Sequence, residues 1–177
     1  MFVCAGKEES FPFAMSMGIG LEEVAINLTK FLATRKVLPE NLLFVGTAGS
    51  YGKATIFDIL ESKTASQIEL SFLQKQSYTP IDNIVSTGDG KVIVNSSNYI
   101  TLDFELSKKF LNLNIHLENM EFFAFLQVAK SFNIPAGGVF IVTNFTNRDA
   151  HTDFKFNHPE AMRRIKRYIE HRFQFKS

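Results

Sequence analysis

The sequence predicts a three-layer α/β/α fold with a central mixed, largely parallel sheet. Short apolar runs typical of strands alternate with amphipathic stretches typical of helices over most of the 177 residues. Between Ile56 and Asn95, short β-like runs are broken by Thr, Ser and Asp, which predicts some antiparallel pairing. Because the chain shows no internal repeat or linker, we expect one domain spanning residues 1–177.

The strands are predicted where apolar residues run together and then stop at glycine or a polar group. Outside the middle segment these runs are Phe2–Ala5, Ala14–Gly20, Leu42–Gly46, Lys91–Asn95, Asn114–Glu118 and Gly137–Val142. Within the middle segment, Gln67–Leu73 and Asp82–Ser86 also have a β-like pattern. The run that ends at Gly46 opens directly into a glycine-rich stretch, which predicts a turn there.

The helices are predicted from apolar spacing and from proline. Leu21–Arg35 carries apolar residues at helical intervals, and Asp103–Phe110 has the pattern of a short helix. Glu121–Phe132 is an apolar helix. Pro159–Phe173 is amphipathic, and its proline is expected in the first helical turn, where proline is tolerated.

Composition excludes several classes of protein. Apolar residues make up 45% and charged residues 21% of the chain, which is ordinary for a soluble globular protein. A net charge of +1 provides no electrostatic case for a nucleic-acid or membrane partner. The single cysteine, Cys4, excludes an intrachain disulfide framework and favours a reducing cytoplasm.

Polar residues follow two predicted strands that are separated by one helix. Glu118–Glu121 comes at the end of one strand, and Thr143-Asn144 ends the next. The carboxyl ends of parallel strands meet at one edge of an open α/β sheet, where such folds build their sites. A methionine and a glutamate at the first strand end suit a sugar, and an asparagine at the second suits a base. We therefore predict a nucleoside pocket.

Four segments resemble the nucleoside phosphorylase and nucleosidase superfamily, which includes methylthioadenosine/S-adenosylhomocysteine nucleosidases and purine nucleoside phosphorylases. The segments are Cys4–Glu9, Met17–Gly20 together with Phe44–Gly49, Val94–Thr101, and Met120–Asn144. The last is the strongest, because residue type and spacing agree without a gap along its whole length. The resemblance implies a phosphorylase-like fold and cleavage of an N-glycosidic bond by water or phosphate.

The resemblance also implies roles for individual residues. Glu121 holds the ribose hydroxyls while Met120 packs on the sugar. Asn144 contacts the purine at N7 and O6; the nucleosidases carry aspartate here and 6-oxopurine phosphorylases carry asparagine, so an inosine- or guanosine-like substrate is expected. Tyr99, with Ile100 beside it, stacks under the base. His158 follows Asn144 at the spacing of a contact to the 5′-hydroxyl.

The nucleophile could be water or phosphate. Glu9 corresponds to the carboxylate that activates water in the nucleosidases, a normal task for a general base. Thr47 and the Gly46–Gly49 backbone could instead bind phosphate as a nest of N–H groups. Arginine is absent before Arg35, which slightly favours water.

Ordinary structural roles compete with several of these assignments. Glu121 also suits a helix N-terminus, Asn144 a strand end, Tyr99 a sheet surface, and His158 the residue before a helix. No metal site is expected, since His151 and its neighbouring aspartates lack the spacing of ligands on a rigid element.

Three further expectations concern cofactors, partners and rival functions. No organic cofactor is needed, and inorganic phosphate remains a candidate co-substrate. The resemblance implies a homo-oligomer that binds a small purine nucleoside. A degenerate member of the superfamily that binds purines without turning them over is the alternative. The presence of both carboxylates, Glu9 and Glu121, argues against it.

Overall fold

The computed structural model describes residues 1–175, which contribute nine strands to one sheet. The elements in chain order are β1 Phe2–Cys4, β2 Ala14–Ser16, α1 Gly20–Ala33, β3 Leu42–Ser50, β4 Ile59–Ser62, β5 Thr64–Ser66, α2 Leu70–Leu73, β6 Ile84–Ser86, β7 Ile93–Ser96, α3 Phe104–Asn112, β8 Leu117–Asn119, α4 Phe122–Ser131, β9 Ala136–Phe145 and α5 Ala150–Arg172.

Strand β3 is the centre of the sheet. It pairs along its length with β9, in parallel, on one side. On the other side it pairs first with β1 in parallel and then with β8 in the antiparallel direction. The order continues through β7 and β5 to β6, while β4 pairs antiparallel with β9. The predicted mixed, largely parallel sheet is confirmed.

Side chains alternate between the two faces of the sheet along its central strands, so both faces carry apolar side chains, and helices cover both. Phe44 of β3 and Phe140 of β9 face one side, where they join a core with α1 and α4. Val45 and Ile141 face the other side, where they pack against Ile165 and other residues of α5. Each such fully buried aliphatic side chain contributes roughly 2 kcal/mol to stability. The three-layer architecture is therefore confirmed.

Strand β3 continues beyond Gly46 to Ser50, so the turn predicted directly after Gly46 is wrong. Residues 46–50 remain paired with β9, and Gly49 and Ser50 also pair with β8. Pairing with β9 along the whole stretch, and with β8 at its end, holds these residues extended and overrides the tendency of glycine to form turns.

The last helix begins at Ala150, so Pro159 lies inside it and not in its first turn. Proline removes one backbone donor, but the helix retains a buried face that includes Ala161, Ile165 and Ile169. The strand predicted over Ala14–Gly20 ends at Ser16, and part of the β-like run Gln67–Leu73 is the short helix α2. Within residues 1–175, no helix is both long and apolar enough to cross a membrane.

Candidate active site

A cavity of about 490 Å³ opens at the carboxyl ends of β1, β3 and β9. Its volume is in the range of sites for small organic ligands. It brings together seven of the residues singled out from the sequence, namely Glu9, Thr47, Tyr99, Ile100, Met120, Glu121 and Asn144. The two polar strand ends, predicted to share one edge, therefore line one cavity.

Glu9 is held against the middle of β3. A tight turn after β1 joins Gly6 and Glu9 through two backbone hydrogen bonds and projects the Glu9 side chain towards the sheet. Thr47 donates both its backbone N–H, at 3.0 Å, and its hydroxyl to the Glu9 carboxylate. Gly46 makes this approach possible, since a β-carbon there would lie 2.8 Å from Glu9 Oε2.

Glu121 is a buried carboxylate at the start of α4, with only 4% of its surface exposed. Its Oε1 accepts the backbone N–H of Gly20, the first residue of α1, at 3.0 Å. Its Oε2 accepts from the Asn119 side chain at 2.6 Å and from the Met120 N–H at 3.2 Å. A carboxylate has about four acceptor positions, so one on Oε1 remains for a ligand hydroxyl.

Burial is the main reason that the pKa of Glu121 rises from an ordinary 4.5 to about 7, and the negative charge of Glu9 adds to the rise. The hydrogen bonds from Gly20, Met120 and Asn119 lower the pKa but do not cancel these effects. Glu121 therefore changes its charge near neutral pH, in the same cavity as a second carboxylate.

This titration predicts a pH-dependent stability. Because the folded-state pKa of Glu121 is raised, the folded protein binds more protons than the unfolded chain between about pH 4.5 and 7. The stability that the raised pKa of Glu121 contributes is fully present below about pH 4.5 and is lost as pH rises through about 7. The total loss in the free energy of unfolding is about 3 kcal/mol. We expect the free energy of unfolding of wild type to fall relative to that of Glu121→Gln between pH 4.5 and 8 in urea titrations. A constant difference would contradict the assignment.

Asn144 lies at the end of β9 with its amide oriented by its neighbours. The Thr143 hydroxyl donates to Asn144 Oδ1 at 2.9 Å, and Asn144 Nδ2 donates to the Phe145 carbonyl at 3.1 Å. One N–H and one acceptor position are left on the amide. It can thus donate to one ligand atom and accept from another.

Tyr99 and Ile100 form the rim of the cavity. The Tyr99 side chain is 81% exposed, and Ile100 is 49% exposed, although both line the opening. An exposed aromatic ring at a cavity mouth offers a face on which a planar ligand can stack. Tyr99, which was predicted to stack under the base, therefore lies at the edge of the cavity and not in its interior.

Two predicted contact residues do not line the cavity. Gly46 lies on β3 behind Glu9, where its lack of a side chain makes room for that carboxylate. His158 lies on α5 with its ring 5.0 Å from the ring of Phe154. The sequence placed His158 before a helix, whereas it is in the middle of α5, more than a turn beyond the helical residues that reach the cavity.

Glu118, His151 and Phe154 also line the cavity, although no role in the nucleoside site was predicted for any of them from the sequence. His151 and Phe154 reach the cavity from the first turns of α5 and share one helix face. Their spacing would have indicated this had the helix been predicted to begin at Ala150. Glu118, a buried carboxylate on β8, also lines the cavity. Burial raises the pKa of Glu118, whereas hydrogen bonds from Thr101 and Tyr51 act in the opposite direction.

Glu9, Glu118 and Glu121 contribute carboxylates to one cavity, but they are not arranged as a metal site. Across residues 1–175, no group of three or more His, Cys, Asp or Glu side chains is placed to hold a metal ion. The chemistry that these side chains can perform is hydrogen bonding to hydroxyl and N–H groups, stabilisation of positive charge, and proton transfer.

The fold and the sequence point to the same class of protein. Residues 92–173, slightly less than half of the chain, match the sequence model of the phosphorylase superfamily. The central sheet and its covering helices match the phosphorylase and nucleosidase fold. The resemblance inferred from the four segments is thus confirmed. A search of curated protein sequences found no match.

Individual solved structures are similar in fold at low identity. A 5′-methylthioadenosine/S-adenosylhomocysteine nucleosidase from Helicobacter pylori has a TM-score of 0.73 and 14% identity, with 88% of this chain and 76% of that one covered. A futalosine hydrolase from H. pylori has a TM-score of 0.73 and 15% identity, with the same coverage. A 5′-methylthioadenosine/S-adenosylhomocysteine nucleosidase from S. pneumoniae has a TM-score of 0.73 and 14% identity, with 95% of both chains covered.

Proposed function

We propose that this protein hydrolyses the N-glycosidic bond of a purine nucleoside and releases the free base. The observation that supports it best is the placement of Glu9, Glu121 and Asn144 around one cavity at the sheet edge. Glycosidic cleavage needs a grip on a sugar that becomes cationic, a partner for the departing base, and a base that activates the nucleophile. Each of the three side chains suits one of these tasks.

In this proposal Glu121 holds the sugar. Its unoccupied acceptor position is directed to a ribose hydroxyl, and its negative charge stabilises the oxocarbenium-like transition state. Met120 packs beside the sugar ring. The hydrogen bonds from Gly20 and Asn119 keep the carboxylate in place, so little reorganisation is needed during the reaction.

Asn144 holds the base. Its remaining N–H donates to O6 of a 6-oxopurine. Once N7 of the departing base has taken a proton from solvent, the Asn144 oxygen accepts a hydrogen bond from that N7–H, so the amide stabilises the base as it leaves. Tyr99 stacks on the exposed side of the base, with Ile100 beside it. These contacts favour inosine or guanosine as the substrate.

Water is the nucleophile that the geometry supports. The Thr47 N–H and hydroxyl, which were candidates to bind phosphate, both donate to Glu9 instead. A carboxylate in that place repels an anion and can accept a proton from water. The similar structures named above are a hydrolase and nucleosidases, which adds support to hydrolysis over phosphorolysis.

A direct test is to incubate the protein with inosine, guanosine, adenosine and methylthioadenosine, with and without phosphate, and to follow base release by chromatography. We expect release without phosphate, faster from inosine than from adenosine because of Asn144. Release that requires phosphate would overturn hydrolysis. Faster release from adenosine would overturn the role of Asn144, and no release from any substrate would overturn the enzymatic proposal.

A homo-oligomer remains part of this proposal. Exposed apolar side chains lie at the cavity mouth, at Tyr99 and Ile100, and follow shortly after it in the chain, at Leu102 and Phe104. Apolar surface of this kind is typical of a face that a partner covers. A second copy on this face would shield the stacked base from water.

A further inference from the structure

The turn that carries Glu9 is fixed to the sheet at few points. It connects β1 with β2, which have three residues each, and β2 lies at the edge of the sheet. Strand β1 is in register with β3 at two positions, Phe2 and Val3. Strand pairing this short contributes little stability by itself. The place of the turn therefore depends also on side-chain contacts around it.

Five phenylalanines form an aromatic cluster beside this turn, namely Phe2, Phe11, Phe13, Phe173 and Phe175. Phe2 lies on β1, before the turn, whereas Phe11 and Phe13 follow it. The rings of Phe2 and Phe13 meet edge to face with their centroids 5.4 Å apart, and Phe11 stacks on Phe13 at 5.2 Å. The aromatic cluster thus joins the two arms of the turn.

Phe175 contacts both arms from the segment that follows α5. Its ring centroid lies 5.3 Å from that of Phe13 and 5.4 Å from that of Phe2. The ring of Phe173 lies 5.2 Å from Phe2, also edge to face. These separations are in the range that favours aromatic pairs. The segment after α5 is therefore packed against the base of the turn that carries Glu9.

The backbone at the end of α5 directs Phe175 into this position. Gln174 has φ +54°, a left-handed conformation that residues with a side chain rarely adopt. The Phe175 N–H then donates to the Glu170 carbonyl at 3.1 Å, which closes the turn at the helix end. Such a conformation persists only where surrounding contacts stabilise it. The contacts of the Phe175 ring provide that stabilisation.

We propose that Phe175 is a positioning residue for Glu9, because it holds together the two arms of the turn from which Glu9 projects. This inference rests on the proposed role of Glu9 as the general base. Thr47 fixes the tip of the Glu9 side chain, and the aromatic cluster fixes the backbone from which that side chain starts. Phe175 does not line the cavity, so it acts on the reaction through Glu9.

The first test compares inosine hydrolysis by wild type, Phe175→Ala and Phe175→Leu. A displacement of about 1 Å can slow a reaction by about 100-fold, so we expect Phe175→Ala to lower kcat by at least about tenfold. KM and the affinity for free hypoxanthine should stay close to wild type, because Phe175 is outside the cavity. Phe175→Leu keeps an apolar side chain in the aromatic cluster and should restore most of the rate.

Phe156→Ala is the matched control, since Phe156 lies on α5 and is 85% exposed. It should hydrolyse inosine at the wild-type rate. An unchanged kcat in Phe175→Ala would overturn the proposal. So would a fall in kcat that is matched by an equal fall in hypoxanthine affinity, because general damage to the cavity would then explain it.

A double-mutant cycle tests whether Phe175 acts through Glu9. Once Glu9→Gln has removed the proton acceptor, there is no carboxylate left to displace, so adding Phe175→Ala should lower the remaining rate very little. The same fold-loss from Phe175→Ala in wild type and in Glu9→Gln would show that Phe175 supports the fold in general. That result would also overturn the proposal.

Hydrogen exchange provides a measurement that does not depend on activity. The Thr47 N–H donates to Glu9, so its exchange rate reports whether the carboxylate is in place. In Phe175→Ala this amide should exchange several-fold faster, while the β3 amides that pair with β9 stay as in wild type. Unchanged exchange at Thr47 would overturn the proposal. Faster exchange in a protein that hydrolyses no nucleoside would retain the positioning role and reject the hydrolytic function.

Discussion

Glu121→Gln is expected to release purine base from inosine at least about 100-fold more slowly than wild type. The amide has nearly the shape of the carboxylate, but it has no charge with which to stabilise a cationic sugar. In either orientation its N–H₂ group would also face a donor, either Asn119 and Met120 or the Gly20 N–H. The loss should appear mainly in kcat, measured by steady-state kinetics, because the charge matters most in the transition state.

Glu40→Gln is the matched control for this variant. Glu40 is exposed and lies just before β3, at the end of the strand opposite the cavity, so the same change in charge should leave base release intact. Base release by Glu121→Gln at the wild-type rate would show that Glu121 does not take part in catalysis. Absence of release in wild type and variant alike, with purine binding retained by both, would identify a binding protein without catalytic activity.

Glu9→Gln is expected to lower hydrolysis by about 10²- to 10⁴-fold while leaving the binding of free base within a few-fold of wild type. The glutamine can still accept the Thr47 N–H, so the turn after β1 should keep its place, but the proton acceptor for water is lost. Single-turnover base release and base binding by calorimetry would measure the two effects separately.

Phosphate is the informative addition to that experiment. If water is the nucleophile, phosphate does not restore the rate of Glu9→Gln. Restoration by phosphate would show that removing the carboxylate frees Thr47 to bind an anion, and would assign phosphorolysis to the site. A rate equal to wild type without phosphate would place the general base elsewhere.

The best-predicted part of the fold is the segment from Met120 to Asn144. Helix α4 has an uninterrupted apolar pattern, and β9 is a buried run that ends in polar residues, so local pattern and tertiary position agree. The polar residues at the two strand ends line the same cavity because both strands pair with β3.

The parts that the sequence did not predict depend on contacts between distant residues. Strand β3 continues through Gly46 and Gly49 because β8 and β9 pair with it, and no local pattern reveals those neighbours. Helix α5 passes through Pro159 because its buried face outweighs one missing hydrogen bond. Glu118 joins the site through Thr101 and Tyr51, the latter 67 positions away in the chain.

The raised pKa of Glu121 has a consequence for the electrostatics of the cavity. With a pKa of about 7, this carboxyl group carries a proton for about half of the time at neutral pH. A ligand with a fixed positive charge at the sugar position takes over the role of that proton. Its binding would expel hydrogen ions into the medium, and its affinity would increase as the solution becomes more alkaline.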